Sequence, residues 1–150
     1  AFAGGRPVDG FMGAVPESKI REFIDKALNA GEIEATDDYF CHDMVEEVPF
    51  PGQGPGIEGL KDVLRGMLTA FPDMRWVVDE QIESGDKVVT RSTWTGTHQA
   101  PFLGVATTGR SVTVWGVVID QFEGDKIKST RMLMDALGLM AQFGVFPPGK

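Results

Sequence analysis

The 150-residue sequence contains one cysteine, one tyrosine and two histidines, and each scarcity removes a class of chemistry. Cys41 alone can build neither an internal disulfide framework nor a cysteine-rich zinc site. It reads as a small buried hydrophobe in a chain suited to a reducing, cytoplasmic setting. His42 and His98 have no His-Glu-x-x-His helix or acidic calcium loop beside them, so no metal is expected. No Gly-x-Ser-x-Gly elbow is present to expose a serine nucleophile. The Gly52 to Gly56 stretch lacks the strand-to-helix setting and Lys-Ser/Thr ending of a phosphate cradle, so no nucleotide cofactor is expected either. Long apolar runs are also missing. The longest, residues 112–119, is interrupted by Thr113 and Gly116 and falls far short of the ~20 residues of a membrane span. Positive charge is scarce as well: 14 Lys and Arg face 22 Asp and Glu, a net charge of −8. Such a field repels phosphate backbones and anionic head groups, which excludes nucleic acid and membrane as expected partners.

What is present fits one domain with a sizeable core. Residues 1–16 carry four glycines and two prolines and read as a flexible arm, leaving one domain over residues 17–150. Ile20, Phe23, Ile24, Ala27 and Leu28 recur at helical spacing, and Asn29-Ala30-Gly31 closes that helix. A short second helix is expected over 32–40, and a short strand over 44–48. After the Pro/Gly-rich loop 49–56, Leu60, Val63, Leu64, Met67, Leu68 and Phe71 mark a third helix, stopped by Pro72. From there the pattern alternates: strands are expected over 75–83, 87–97, 111–122 and 126–134, with turns at Gly85-Asp86 and Gly124-Asp125. A final apolar helix covers 136–143. Helices followed by a run of antiparallel strands predict an α+β fold, a curved antiparallel sheet wrapped around three N-terminal helices with a short C-terminal helix. Gly96 and Gly116 sit where such a sheet would bend.

With metals, nucleotides and serine nucleophiles set aside, acid/base chemistry or ligand binding in a pocket between sheet and helices remains. Asp135 stands between the last strand and the last helix among apolar residues, which push a carboxyl pKa up toward a proton-shuttling range. The same position suits a helix N-cap. His98, at the end of the third strand where the chain leaves the sheet, is read as a pocket group or as a histidine satisfied by loop backbone. Arg131 would share a strand face with Leu133 and Asp135. Glu46 and Glu47 are adjacent, so only one can point inward. Trp76, Trp94 and Trp115 fall on successive strands as ligand platforms or as core.

In order along the chain, Ala27-Leu28-Asn29-Ala30-Gly31, the Pro-Phe-Pro-Gly of residues 49–52, Phe71-Pro72-Asp73, Gly85-Asp86-Lys87-Val88-Val89, Gly96-Thr97-His98 and Asp135-Ala136-Leu137-Gly138-Leu139 resemble the SnoaL-like polyketide cyclases, over about residues 18–144. That resemblance implies a cone-shaped member of the nuclear-transport-factor-like α+β barrels, a homo-oligomer (dimer or tetramer) taking a hydrophobic small molecule. It also implies ring closure of an aromatic polyketide by intramolecular aldol condensation without a cofactor. Asp135 looks like the family's acid/base aspartate, and His98 like a histidine that borders the pocket. The candidate catalytic residues are therefore Asp135 and His98. Arg131, Glu47, Trp115, Trp94 and Gln121 are the candidate substrate-binding residues. Ser129-Thr130-Arg131 and Glu47 depart from the family pattern, which leaves a binding module or a limonene-epoxide-hydrolase-like hydrolase as alternatives on the same fold.

Overall fold

A computed structural model describes residues 16–145. The arm expected over residues 1–16 lies outside the described residues except for Pro16, which opens the first helix. Helix α1 (Pro16–Phe23) runs on into a π-helical segment (Ile24–Asn29), and a 3-10 segment (Ile33–Asp38) replaces the expected second helix. Strand β1 (Phe40–Glu46) leads to helix α2 (Gly56–Ala70). Strands β2 (Arg75–Ser84), β3 (Lys87–Thr97), β4 (Ser111–Glu123) and β5 (Lys126–Met134) follow, and helix α3 (Ala136–Phe143) closes the chain.

The five strands form one open sheet in the order β1-β5-β4-β3-β2, with β1 and β2 as free edges. Strands β2 to β5 are antiparallel, as their alternation and tight turns require. Strand β1 departs from the all-antiparallel expectation: it pairs in parallel with β5, Glu46 lying opposite Thr130. It also starts earlier than expected, because Phe40 enters the core and the Tyr39 carbonyl accepts the Ile127 N–H.

The concave face of the sheet packs on the helices through a core that includes Trp94, Phe71, Met44, Ile57 and Met67. Asn29 fastens the helical layer to β2, its Oδ1 accepting the Trp76 N–H (2.7 Å) and its Nδ2 donating to the Trp76 carbonyl (3.0 Å). Gly96 and Gly116 do sit at close approaches. A Cβ on Gly96 would stand 2.9 Å from the Phe71 side chain, and one on Gly116 2.9 Å from the Leu133 carbonyl. No helix among the described residues is long and apolar enough to cross a membrane.

Candidate active site

Helix α2 presents Leu60, Val63, Leu64 and Met67, spaced three and four apart, to the concave sheet face, and between them lies an inner cavity of about 80 Å³. The sheet lines it at alternate positions: Thr90 and Ser92 of β3, Val118 and Asp120 of β4, Thr130 and Met132 of β5. Glu46, at the end of β1, completes this floor. Across three neighbouring strands the register is Glu46, Thr130, Asp120, so the two acids flank one threonine.

Among the described residues no lysine, arginine or histidine lines the cavity. Two carboxyl groups therefore face an apolar space without a cation to hold them ionised. Asp120 is 4% exposed, and its burial, with Glu46 as a nearby negative charge, raises its pKa to about 7 against the pull of a hydrogen bond from Thr130. Burial likewise raises Glu46 to about 7, opposed by hydrogen bonds from the Val48 and Met132 backbone. Such a pair takes up and releases protons jointly near neutrality, which suits acid/base work on an organic guest. Among the described residues no group of three or more His, Cys, Asp or Glu converges as a metal site.

The residues singled out from the sequence lie elsewhere. Asp135 is absent from the cavity lining and stands at the N-terminus of α3, where its Oδ1 accepts the Gly138 N–H at 2.9 Å. His98 is fully buried, stacked against Phe143 (centroids 4.2 Å apart) and Phe71 (5.5 Å). Its Nδ1 lies 2.9 Å from the Thr108 hydroxyl and 3.2 Å from the Thr108 N–H, and its Nε2 has no hydrogen-bond partner among the described residues. Burial lowers its pKa, so the ring is neutral in the packing at the end of β3.

Arg131 does share a face with Leu133, but that face is the convex, exposed one. Trp115, 51% exposed, lies on it too. Gln121, also on the convex side, donates from Nε2 to Asp86 (3.0 Å). Trp94 is core, edge-on to Phe71, and of the three tryptophans only Trp76 reaches the cavity. The inward acid of the Glu46-Glu47 pair is Glu46. Glu47 is exposed, and its N–H donates to the Thr130 carbonyl.

Asp120 went unread in the sequence although a signal was there. It occupies the inward parity of Val114, Val118 and Phe122 in the most β-branched strand, a position where a charge needs a reason.

The model of the SnoaL-like polyketide cyclase family matches residues 18–143. Among solved structures, TsrD from Streptomyces laurentii is 26% identical, with 89% of this chain and 100% of that one covered at a TM-score of 0.79. IdmH from Streptomyces antibioticus, for which polyketide cyclase activity is proposed, is 28% identical, with 87% and 99% covered at 0.75. AclR from Streptomyces galilaeus, for which hydroxylase activity is proposed, shares the fold at 24% identity, with 88% and 97% covered at 0.77. A comparison with curated proteins finds no match.

Proposed function

The chain belongs to the SnoaL-like polyketide cyclase family, and on that premise we propose that it catalyses aldol-type ring closure or isomerisation of a polycyclic or aromatic ketone, with Glu46 and Asp120 as its acid/base pair. One observation carries this reading: two carboxyl groups, both raised to about 7, line one cavity that no cation lines among the described residues. The more deeply buried Asp120 keeps its proton and hydrogen-bonds the ketone oxygen, while the half-buried Glu46 is the ionised base. Glu46 removes a proton from the carbon alpha to the carbonyl, and the charge moves onto the oxygen facing Asp120. In ring closure the alpha carbon then bonds to a second carbonyl carbon of the same molecule, whose oxygen takes the proton back from Glu46. In isomerisation the proton returns to a different carbon. Neither step consumes a redox equivalent or a cofactor. Positioned acid/base groups contribute about 10²–10⁴-fold, and preorganised donors at the oxygen add to it.

A hydrolase opening an epoxide would want an arginine beside two carboxylates and a water. Arg131 lies on the opposite face, which favours proton transfer. The exposed apolar residues Val77, Trp115 and Leu133 of the convex face support a homo-oligomer, checked by light scattering.

The test is exchange of the alpha protons of 1-tetralone in heavy water, followed by NMR. Wild type should accelerate exchange, Glu46→Gln and Asp120→Asn should lose it by at least 100-fold, and Asp135→Asn should keep it. Loss in Asp135→Asn with the pair variants still active returns the role to Asp135. Binding of the ketone without exchange by wild type leaves only a ligand-binding module.

A further inference from the structure

The inner cavity is too small for the class of substrate just described. An engineered cavity of about 150 Å³ takes up one benzene ring, whereas this one offers about 80 Å³. Only the keto edge of a ring fits beside Glu46 and Asp120. Immediately outside lies a basin of about 600 Å³, within the ordinary range of small-molecule sites. Phe50, Gln53 and Val63 line both spaces and so form the neck between them.

The neck is built by the loop the sequence marks most strongly. Phe50-Pro51-Gly52-Gln53 is a tight turn in which the Gln53 N–H donates to the Phe50 carbonyl (2.9 Å) and Gly52 takes φ +82°. Proline then glycine at the two central positions is the pattern of a type II turn. The turn is closed a second time, because the Phe50 N–H donates to Gln53 Oε1 at 3.0 Å. That bond fixes which way the amide faces, since only its oxygen can accept. Gln53 Nε2 is left with no acceptor among the described residues, held at the neck with two N–H donors to offer.

The basin itself sets the charge of its occupant. Among the described residues its one charged lining group, Asp62, is paired with Arg65 at 2.9 Å, and no cation lines either space. On its far rim Leu103 adopts φ +49°, a left-handed conformation that costs a branched side chain about 1–2 kcal/mol, and it contributes to the basin lining.

We propose that Gln53 is the specificity residue of a two-compartment site, donating from Nε2 to a second oxygen of an uncharged, elongated substrate whose ketone end reaches the inner carboxyl pair. This deepens the acid/base reading and rests on it for the placement of the ketone. The substrate carries an acceptor oxygen, as carbonyl, phenol or ether, about one ring away from the reacting ketone, and its bulk stays in the basin. A phosphate group inside the basin would find no cation among the described lining residues, which suits a neutral substrate portion there.

The test compares 1-tetralone, which has the ketone alone, with its 5-, 6- and 7-methoxy derivatives, which add an acceptor on the distal ring. Dissociation constants come from calorimetry on wild type, Gln53→Glu and Gln53→Met. Glutamate still accepts the Phe50 N–H, so the turn persists while the donor is removed. In wild type at least one methoxy isomer should bind about fivefold or more tightly than 1-tetralone. Gln53→Glu and Gln53→Met should erase that advantage, so that within each variant the methoxy isomers bind no more tightly than 1-tetralone. The proposal is overturned if no methoxy isomer is favoured in wild type, if the advantage survives both substitutions, or if all four ketones weaken together. Alpha-proton exchange, read in the same samples, separates the two readings. Absent exchange with the Gln53 effect intact removes the acid/base pair and leaves the two-compartment site, and exchange without the Gln53 effect does the reverse.

Discussion

Glu46 of β1 and Asp120 of β4 are both register partners of Thr130, one on either side of it, so three adjacent strands deliver two carboxyl groups and one hydroxyl to the same cavity floor. The raised affinity of both acids for protons follows from that placement in an apolar space lined by no cation among the described residues.

Burying Asp120 makes stability depend on pH with a definite sign. Its folded pKa of about 7 lies above the ordinary 3.8, so the folded state keeps a proton that the unfolded chain releases. The stabilisation is complete below the unfolded value and is lost as pH rises through 7. At about 1.4 kcal/mol per unit, the loss approaches roughly 4 kcal/mol by pH 8. Asp120→Asn, which does not titrate, should raise the urea midpoint relative to wild type at pH 8 and do so much less at pH 5. An equal difference at both pH values contradicts the burial argument.

Thr130→Val keeps shape and removes the hydroxyl that holds the Asp120 pKa down. The pH limb of alpha-proton exchange that reports Asp120 should move to higher pH, by about one to two units for a hydrogen bond to a charged group. A limb that stays in place shows that Thr130 does not contact the titrating carboxyl.

Asp135 caps α3 through the Gly138 N–H. Asp135→Ala should lower stability by about 1 kcal/mol, and Asp135→Asn, an equally good cap, should leave it nearly unchanged in thermal unfolding. Equal losses in the two variants would show that the cap is not what the side chain supplies.

Two glycines of α2 should respond in opposite directions. A Cβ on Gly59 would run into the Gly54 carbonyl beneath the neck loop, whereas one on Gly66 meets nothing within 4 Å. Gly59→Ala should cost about 1–3 kcal/mol by overpacking, and Gly66→Ala should add about 0.5–1 kcal/mol of helix propensity, both read by denaturant unfolding.

Most of the fold was legible because its signals are local. The alternation from Lys87 to Thr97 and from Lys126 to Met134 gave both strands their observed ends. β1 was harder: its register shifts between Phe40 and Val45, and pleat parity cannot be counted through an irregularity. That is why Glu46 and Glu47 could not be told apart. Its parallel pairing with β5 joins segments far apart in sequence, which no local pattern encodes. Asp120 was hidden in an apolar strand read for its hydrophobicity. Asp135, read as base or cap from one apolar context, makes the cap hydrogen bond.

Carboxyl-carbon NMR titration of the folded protein reads the protonation of Glu46 and Asp120 themselves, with Glu46→Gln and Asp120→Asn used to identify the two resonances. The pair should titrate in steps of which at least one lies near pH 7, and removing either acid should move the other. Both carboxyl groups titrating below about pH 5, each indifferent to loss of its neighbour, would contradict a proton-holding pair in this cavity.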